Sequence, residues 1–303
     1  MAMRVATFAL NDRMLAASLQ TQSRMAEMQM QQASGIKSNA LGEYGASGKV
    51  LIDLEISLAR SQTYTASAQE ASSRVAVMYG IMDTVNELLS NFRVALAGIK
   101  SVNSDAETRA SLANNASFTM TELGALLNSQ YEGRYLFGGS ATTTLPVDLA
   151  NYTLADPTQP YTDYYMGNDA LASAQVSAEQ SVSYGVAASD PAFEKAFRAL
   201  SIIADTNGVF GATTVDDSLN LIMDAINNAA GVQGTLSLNA AALERSVRRE
   251  EDFQEMFKAD LSGVRDVDVT QVAVRLTSYE MQLQASFATM AKVSNLSLLD
   301  YLR

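Results

Sequence analysis

The sequence of 303 residues contains no cysteine and no histidine. Their absence excludes disulfide frameworks, Cys-His and Ser-His-Asp catalytic machinery, and zinc sites built from thiolates or imidazoles. No run of about 18 apolar residues is present, so the sequence predicts no membrane span. The N-terminal stretch is interrupted by Asn11, Asp12 and Arg13 and therefore lacks the apolar core of a secretory signal peptide. No catalytic, cofactor or metal site is predicted.

Basic residues are scarce, with 21 Lys and Arg against 33 Asp and Glu and a net charge of -12. Residues 1–100 carry 9 basic and 8 acidic side chains, residues 101–266 carry 9 and 22, and residues 267–303 carry 3 and 3. Because phosphate binding needs a basic surface, this balance argues against a nucleic-acid partner. Nearly neutral ends around an acidic middle predict buried ends and a solvated centre.

A heptad pattern runs from Leu51 to Ile99 with apolar or small residues in alternating steps of three and four. This spacing predicts one long helix of the coiled-coil type. The section from Ser61 to Ser72 has only small or hydroxyl residues in the pattern, so it should pack closely and contribute less hydrophobic stabilisation. A further helix is predicted from about 105 to 130, with Ser104 or Asp105 as its cap.

Amphipathic stripes also mark the two ends of the chain. The first stripe ends near Ser34-Gly35, where glycine stops the helix. Near the C-terminus one stripe runs from Leu236 to Val264 and a second from Val269 to Leu299. The first stripe comprises Leu10, Met14, Ala17, Thr21, Met25 and Met28. Helical stripes at both ends predict that the chain leaves and returns, so that its two ends pair side by side.

The end of the last helix has apolar residues on more than one side, including Leu296, Leu299 and Leu302. Burying one leucine contributes roughly 1.5–3 kcal/mol, so exposure of this set would be unfavourable. The N-terminal helix, neighbouring subunits or a chaperone could cover it, and docking on the chain's own core is the alternative.

The middle of the chain has a different composition, because all four prolines lie between 146 and 191. Alternating residues predict a strand at 181–186 and a weaker partner at 171–178. Asp190-Pro191 predicts the start of a helix, and another helix is expected at 216–229. The predicted fold class is mostly α: a long coiled-coil-like helical bundle formed by both chain ends, with a small mixed β-plus-helix insertion domain.

Three segments resemble one protein family. Residues 267–303, which contain YEMQLQAS and end in NLSLLDYLR, are similar to the C-terminal signature of the flagellin superfamily. EGRYLFGGS at 132–140 and the segment 164–200 resemble the hook–filament junction branch of that superfamily. The sequence SNALGEYGASGKVL at 38–51 departs from the Asp-Asp-Pro stretch of many members.

The resemblance implies a structural subunit of the bacterial flagellum that joins hook to filament. Such a protein is exported unfolded by the flagellar type III apparatus, without a cleaved signal peptide, and is located outside the cell. Implied partners are further copies in a ring or helical tube, a neighbouring hook-associated protein, flagellin and an export chaperone. The implied subunit interface comprises Leu10, Met14, Leu276, Leu283, Phe287, Leu296 and Leu299.

The resemblance and the periodicity together predict three regions. Residues 1–35 and 267–303 are terminal core helices for assembly, which we expect to be mobile in the monomer. Residues 36–140 and 236–266 form a helical bundle domain, and residues 141–235 form an outward-facing mixed β/α insertion.

Three other functions are weighed against this one. A flagellin filament subunit fits the same signature. A secreted coiled-coil type III effector or translocator fits the helices but gives no reason for the LSLLDYL ending. For an enzyme, the acidic groups at 250–252 and 216–217 are better explained as a solvated helix face and a helix start. The chain is therefore not expected to be an enzyme.

Overall fold

The computed structural model describes the backbone of residues 2–100, 105–150, 152 and 156–301, and the side chains of 12–99, 105–150, 152 and 156–292. Within these residues six α-helices and four short strands are present. The helices are α1 Ala2–Ser34, α2 Ser47–Lys100, α3 Ala106–Leu127, α4 Pro191–Ala204, α5 Ala212–Arg265 and α6 Val269–Tyr301. The strands are β1 Gln130–Tyr131, β2 Arg134–Tyr135, β3 Ala172–Gln175 and β4 Ser181–Tyr184, and a short 3₁₀-helix spans Leu41–Tyr44.

The chain divides into two compact units. Residues 1–59 and 254–303 form one, here called the terminal unit, and residues 60–253 form the other, the central unit. The predicted fold class is confirmed: the fold is mostly α, helices from both chain ends pack together, and the strands form a small insertion.

The heptad pattern of α2 coincides with the buried side of that helix. Its buried apolar side chains are Leu51 in the terminal unit and Ala68, Ala71, Val75, Met78, Met82, Val85, Leu89, Phe92 and Leu96 in the central unit. In the section with small residues Ser61 is also buried, and its hydroxyl donates to the backbone oxygen of Glu250 on α5 at 3.0 Å. The long helix predicted from 51 to 99 is therefore confirmed.

A polar network joins α2 to α5 beside the apolar core. The Asn86 side-chain amide donates to Oε1 of Gln233 at 3.0 Å, and Nε2 of Gln233 donates to Oδ1 of Asp83 at 2.5 Å. An apolar heptad pattern can pair in several registers that differ by one repeat. A directional polar contact next to it stabilises one register.

Helix α5 differs from the prediction. The sequence predicts a helix at 216–229 and a separate stripe from Leu236, whereas the structure has one helix of 54 residues. Its buried row continues through the gap in steps of three and four: Val215, Ser218, Ile222, Ala225, Ala229, Val232 and Leu236. Gly231 and Gly234 lie on the exposed side, so packing outweighs the low helix propensity of glycine.

The central unit contains two antiparallel hairpins. Strands β3 and β4 pair with Ala174 opposite Val182, as the alternation predicts. Strands β1 and β2 form a second hairpin that the sequence analysis does not predict, because each strand has only two residues. Its turn places Glu132 and Gly133 at φ values of 51° and 73°, the left-handed region in which glycine is unstrained.

An aromatic cluster packs the segment that contains Phe137 and Tyr164 against α4. The rings of Tyr164 and Phe197 lie 4.4 Å apart, and Phe137 meets Phe193 edge-on at 5.9 Å. The Tyr164 hydroxyl donates to the backbone oxygen of Ala188 at 2.8 Å. Burial, together with the nearby carboxylate of Glu194, raises the pKa of Tyr164 well above its usual value, so this phenol stays neutral and keeps its donor.

Two predicted helix starts are confirmed. Asp105 caps α3 by accepting from the Thr108 amide at 2.8 Å. Asp190 caps α4 by accepting from the Ala192 amide at 2.9 Å, with Pro191 in the first turn. Both caps satisfy backbone donors that the helix cannot pair internally.

Candidate assembly surface

The terminal unit is built on the pair α1 and α6, which pack against each other. Helix α1 ends at Ser34, and Gly35 follows at a φ of 73°, which confirms the predicted stop. An antiparallel bridge joins Ile36 to Asp266, so the end of α1 lies next to the start of α6. The two helices therefore run antiparallel, as the stripes at the two chain ends predict.

Among the described side chains of α1, the two that are fully buried between the helices, Ser18 and Thr21, are polar. On α6 the least exposed residues are Val272, Leu276, Tyr279, Leu283, Ser286 and Met290. On α1 they are Met14, Ser18, Thr21, Met25 and Met28. The predicted stripe includes Ala17, but Ala17 is exposed and Ser18 is buried, which corrects that position. Ser18 lies seven residues before the half-buried Met25, and the pairing with α6 buries it in place of Ala17.

The predicted interface residues fall into two groups among the described side chains. Met14, Leu276 and Leu283 are half-buried in the row between the helices. Phe287 lies outside that row and is 46% exposed. The side chains of Leu10, Leu296 and Leu299 lie outside the described residues.

Apolar side chains remain exposed on the pair after α1 and α6 have packed. Val274 is 66% exposed and Met281 is 60% exposed, and their seven-residue spacing puts both on one line of α6. The other large apolar residues exposed on the pair are Leu15, Leu19, Met30, Val269 and Phe287. We call this set, with Val274 and Met281, the apolar surface. Exposed apolar residues on a helix pair are candidates for contact with another molecule.

The apolar surface carries little charge. Over residues 12–34 of α1 the charged side chains are two acidic and two basic, and over residues 269–292 of α6 they are one acidic and two basic. Copies of this chain could therefore pack through these helices without the repulsion that the acidic middle would impose.

One buried polar group in the α1–α6 row has no visible partner. Ser18 is 2% exposed, and its hydroxyl makes no hydrogen bond to the residues that the structure describes. An unpaired buried hydroxyl is unfavourable by about 1–3 kcal/mol. We therefore expect Ser18→Ala to stabilise the α1–α6 pair by up to about 1 kcal/mol. Amide exchange in α1 should slow, and the exposed Ala17→Ser should leave the exchange rate unchanged.

A cavity of about 670 Å³ in the central unit gives no indication of catalysis. Two carboxylates line it, and both have structural partners. Asp169 accepts from the Ser189 hydroxyl at 2.7 Å, and Asp190 caps α4. Burial raises the pKa of Asp190, which is consistent with a carboxyl enclosed by the fold. Over the described part of the chain no three Asp or Glu residues gather as metal ligands.

The acidic groups at 250–252 differ in environment from the prediction. Glu251 and Asp252 are exposed, but Glu250 is 5% exposed and lies in the buried row of α5. The interpretation of all three as a solvated helix face is therefore wrong for Glu250. This residue lies three positions after Val247 and four before Gln254, in the amphipathic stripe predicted for this helix. In the described segments no helix has the length and apolar character required to cross a bilayer.

The C-terminal part of the chain matches a known family. The family described as the bacterial flagellin C-terminal helical region matches residues 219–302, which cover most of α5 and all of α6. These are the helices that contribute the C-terminal side of the terminal unit. No curated protein matches the chain.

Solved structures with the same fold are hook-associated proteins. One, assigned as a flagellar hook-associated protein of Vibrio parahaemolyticus, superimposes with a TM-score of 0.64 at 16% identity, over 74% of this chain and 100% of the other. Flagellar hook-associated protein-3 of Legionella pneumophila superimposes with a TM-score of 0.58 at 13% identity, over 70% and 98%.

Proposed function

We infer that this chain is a member of the flagellin superfamily with a structural role in the flagellum, because residues 219–302 match the flagellin C-terminal helical region and the fold is similar to that of two hook-associated proteins. From that premise we propose that it is hook-associated protein 3, the adaptor that joins hook to filament. In this proposal many copies form a ring or short helical tube whose inner part consists of the α1–α6 pairs. The protein has its place outside the cell, in the flagellum.

The apolar surface of the α1–α6 pair carries the proposal. Burying one of its large side chains against another copy contributes about 1.5–3 kcal/mol. In the monomer the seven residues of the apolar surface are exposed to water, so covering them with other copies favours association. Because the pair is nearly neutral, no charge opposes this association.

The proposed neighbours follow from the place in the flagellum. On the hook side the partner is another hook-associated protein, and on the filament side it is flagellin. Before assembly the apolar C-terminal residues would be exposed to water, and we propose that an export chaperone binds them. We propose export through the flagellar type III apparatus, with the N-terminal segment as an uncleaved signal.

The mobility predicted for residues 1–35 and 267–303 follows from the same argument. Without neighbouring copies the helices of the terminal unit leave the apolar surface in water, so their pairing should open more often than the core of the central unit. We expect their amides in the monomer to exchange faster than those of the central unit. Protection equal to that of the central unit in a dilute monomer would contradict the proposal.

A filament subunit is the second candidate, because the matched family is described for flagellin itself. Deletion of the gene separates the two candidates. If the chain is the junction adaptor, cells without it make hooks and release flagellin into the medium, and re-expression of the full chain restores filaments. Intact filaments in the deletion strain would contradict the junction role.

Antibody labelling of isolated flagella provides an independent test. A label confined to one band at the end of the hook supports the adaptor. A label along the whole filament supports the filament subunit instead.

A further inference from the structure

The two chain connections at the base of the α1–α6 pair are hydrogen-bonded to each other. Residues 35–37 begin the connection from α1 to the 3₁₀-helix, and residues 265–267 run from the last residue of α5 into the connection to α6. The Lys37 amide donates to the Arg265 oxygen at 2.8 Å, and the Val267 amide donates to the Gly35 oxygen at 2.9 Å. We call these six residues the clasp. The clasp joins positions about 230 residues apart in sequence and lies wholly within the terminal unit.

The side chain of Lys37 extends the clasp to the end of α5. Its ammonium nitrogen donates to the oxygen of Val264 at 2.5 Å and to that of Gly263 at 3.3 Å. Both carbonyls belong to the last turn of α5, where no backbone amide of the helix remains to pair with them. A cation at this position is also favoured by the negative end of the helix dipole.

The backbone of Lys37 is tied to α1 as well. Its oxygen accepts from Nε2 of Gln31 at 2.9 Å. A single residue thus contacts the last turn of α1 through its carbonyl, the 265–267 connection through its amide, and the end of α5 through its ammonium group. Removal of the ammonium group affects one of these three contacts directly.

Asp266 stabilises the other half of the clasp. Its carboxylate accepts from the Ser262 hydroxyl at 2.6 Å and from Nε of Arg265 at 3.3 Å. The hydrogen bond from Ser262 lowers the pKa of Asp266, and the charges of Arg265 and Lys37 act in the same direction. Two residues later Asp268 caps α6 by accepting from the Thr270 amide at 2.9 Å. The clasp therefore continues directly into the first turn of α6.

We propose that the clasp couples α1 to α6, so that the two helices become ordered or loosen as one unit, with Lys37 as its positioning residue. The described α1 side chains that are fully buried against α6, Ser18 and Thr21, are polar and the methionines beside them are only half-buried, so lateral packing alone holds the pair weakly. Fixing the adjacent ends of both helices removes much of their freedom to separate. This inference concerns the isolated chain and does not depend on the proposed place in the flagellum.

Hydrogen exchange of the full-length monomer with Lys37→Met tests the coupling. Methionine retains most of the side-chain length and removes the charge and the two bonds to α5. Because Lys37 is exposed and water competes for it, we expect exchange at the Lys37 and Val267 amides, and in both α1 and α6, to rise about three- to tenfold. Lys37→Arg should restore most of the protection.

Lys49→Met is the matched control, since Lys49 is an exposed lysine of the same unit that forms an ion pair with Asp53 four residues away. It should leave exchange in α1 and α6 unchanged. Unaltered exchange in the central unit shows that each variant is folded.

The reciprocal variant Asp266→Ala tests whether a change in the α5–α6 connection also affects α1. If the clasp couples the helices, this change in the α5–α6 connection raises exchange in α1 as well as in α6. Faster exchange confined to the helix next to the altered residue, for both variants, would overturn the proposal. If the unchanged chain failed to assemble although exchange in α1 and α6 proved to be coupled, only the proposed function would be contradicted.

Discussion

Phe287→Asp is expected to abolish incorporation of the chain into flagella while the chain itself stays folded. Phe287 is 46% exposed in the isolated protein, so a charged side chain there meets water and costs little. In the assembled state the same position would be covered by a neighbouring copy. The variant then loses about 1.5–3 kcal/mol of apolar burial and adds the cost of burying an unpaired carboxylate.

These two terms together predict that incorporation falls by more than about a hundredfold, which corresponds to about 2.7 kcal/mol. The measurement is the amount of variant protein in flagella isolated from a deletion strain that expresses it. Thermal unfolding of the purified variant should match that of the unchanged protein.

Two further variants separate assembly from folding. Val209→Asp makes a similar change at a residue of the central unit that is 84% exposed, and it should incorporate normally. Leu283→Asp places the charge in the half-buried row between α1 and α6, so it should increase exchange in both helices as well as prevent assembly. Normal incorporation of Phe287→Asp would show that the apolar surface is not part of the interface between copies.

Gly139→Ala is expected to destabilise the central unit more than any other single methyl addition to its glycines. Gly139 has a φ of 66°, and a Cβ there would lie 1.9 Å from the backbone oxygen of Asn168. The backbone at this position must therefore move, which also disturbs the bonds from Ser140 to Asn168. Strain and displacement together should cost about 3–5 kcal/mol.

Gly133→Ala is the control for Gly139→Ala. Gly133 has a similar φ of 73°, but a Cβ there meets nothing within 4 Å. It should cost only about 1–2 kcal/mol, the penalty of a left-handed backbone for alanine. By thermal unfolding, the melting temperature should fall by about 6–15 °C for Gly139→Ala and by a few degrees for Gly133→Ala. Equal shifts would mean that the close approach to Asn168 is unimportant.

The long helices were the most predictable part of the molecule, because a heptad pattern repeated over many turns leaves one interpretation. The same reasoning extended α2 correctly through Ser61, although small residues there weaken the apolar signal. For α5 the same reasoning ended the predicted helix too early, at residue 229, because mainly alanine and glycine separate it from the stripe that begins at Leu236. The buried row through Ala225 and Ala229 was readable in the sequence, but alanine is common on both buried and exposed helix faces.

Short elements and long-range contacts were less predictable. The hairpin from Gln130 to Tyr135 has two residues on each side, too few for an alternation to appear. On α1 the sequence alone could not decide between Ala17 and Ser18, because both are small and only the pairing with α6 buries one of them. The contact of Lys37 with the end of α5 depends on how two distant connections meet, which no local pattern contains.

The apolar surface was predicted in part. The sequence identified Phe287 and the stripe around it from periodicity and from the resemblance. Val274 and Met281 were not singled out, because they lie on the side of α6 that the amphipathic pattern assigns to solvent. Two apolar residues seven positions apart on that side are the signal that could have identified them.

Cysteine labelling tests most directly whether assembly covers the apolar surface. Since the chain has no cysteine, a single Val274→Cys variant carries one reactive thiol, and Val209→Cys provides a reference in the central unit. Both thiols should react with a maleimide in the monomer, where their positions are 66% and 84% exposed. In isolated flagella, position 274 should be protected while position 209 still reacts. Equal reactivity of position 274 before and after assembly would contradict the account.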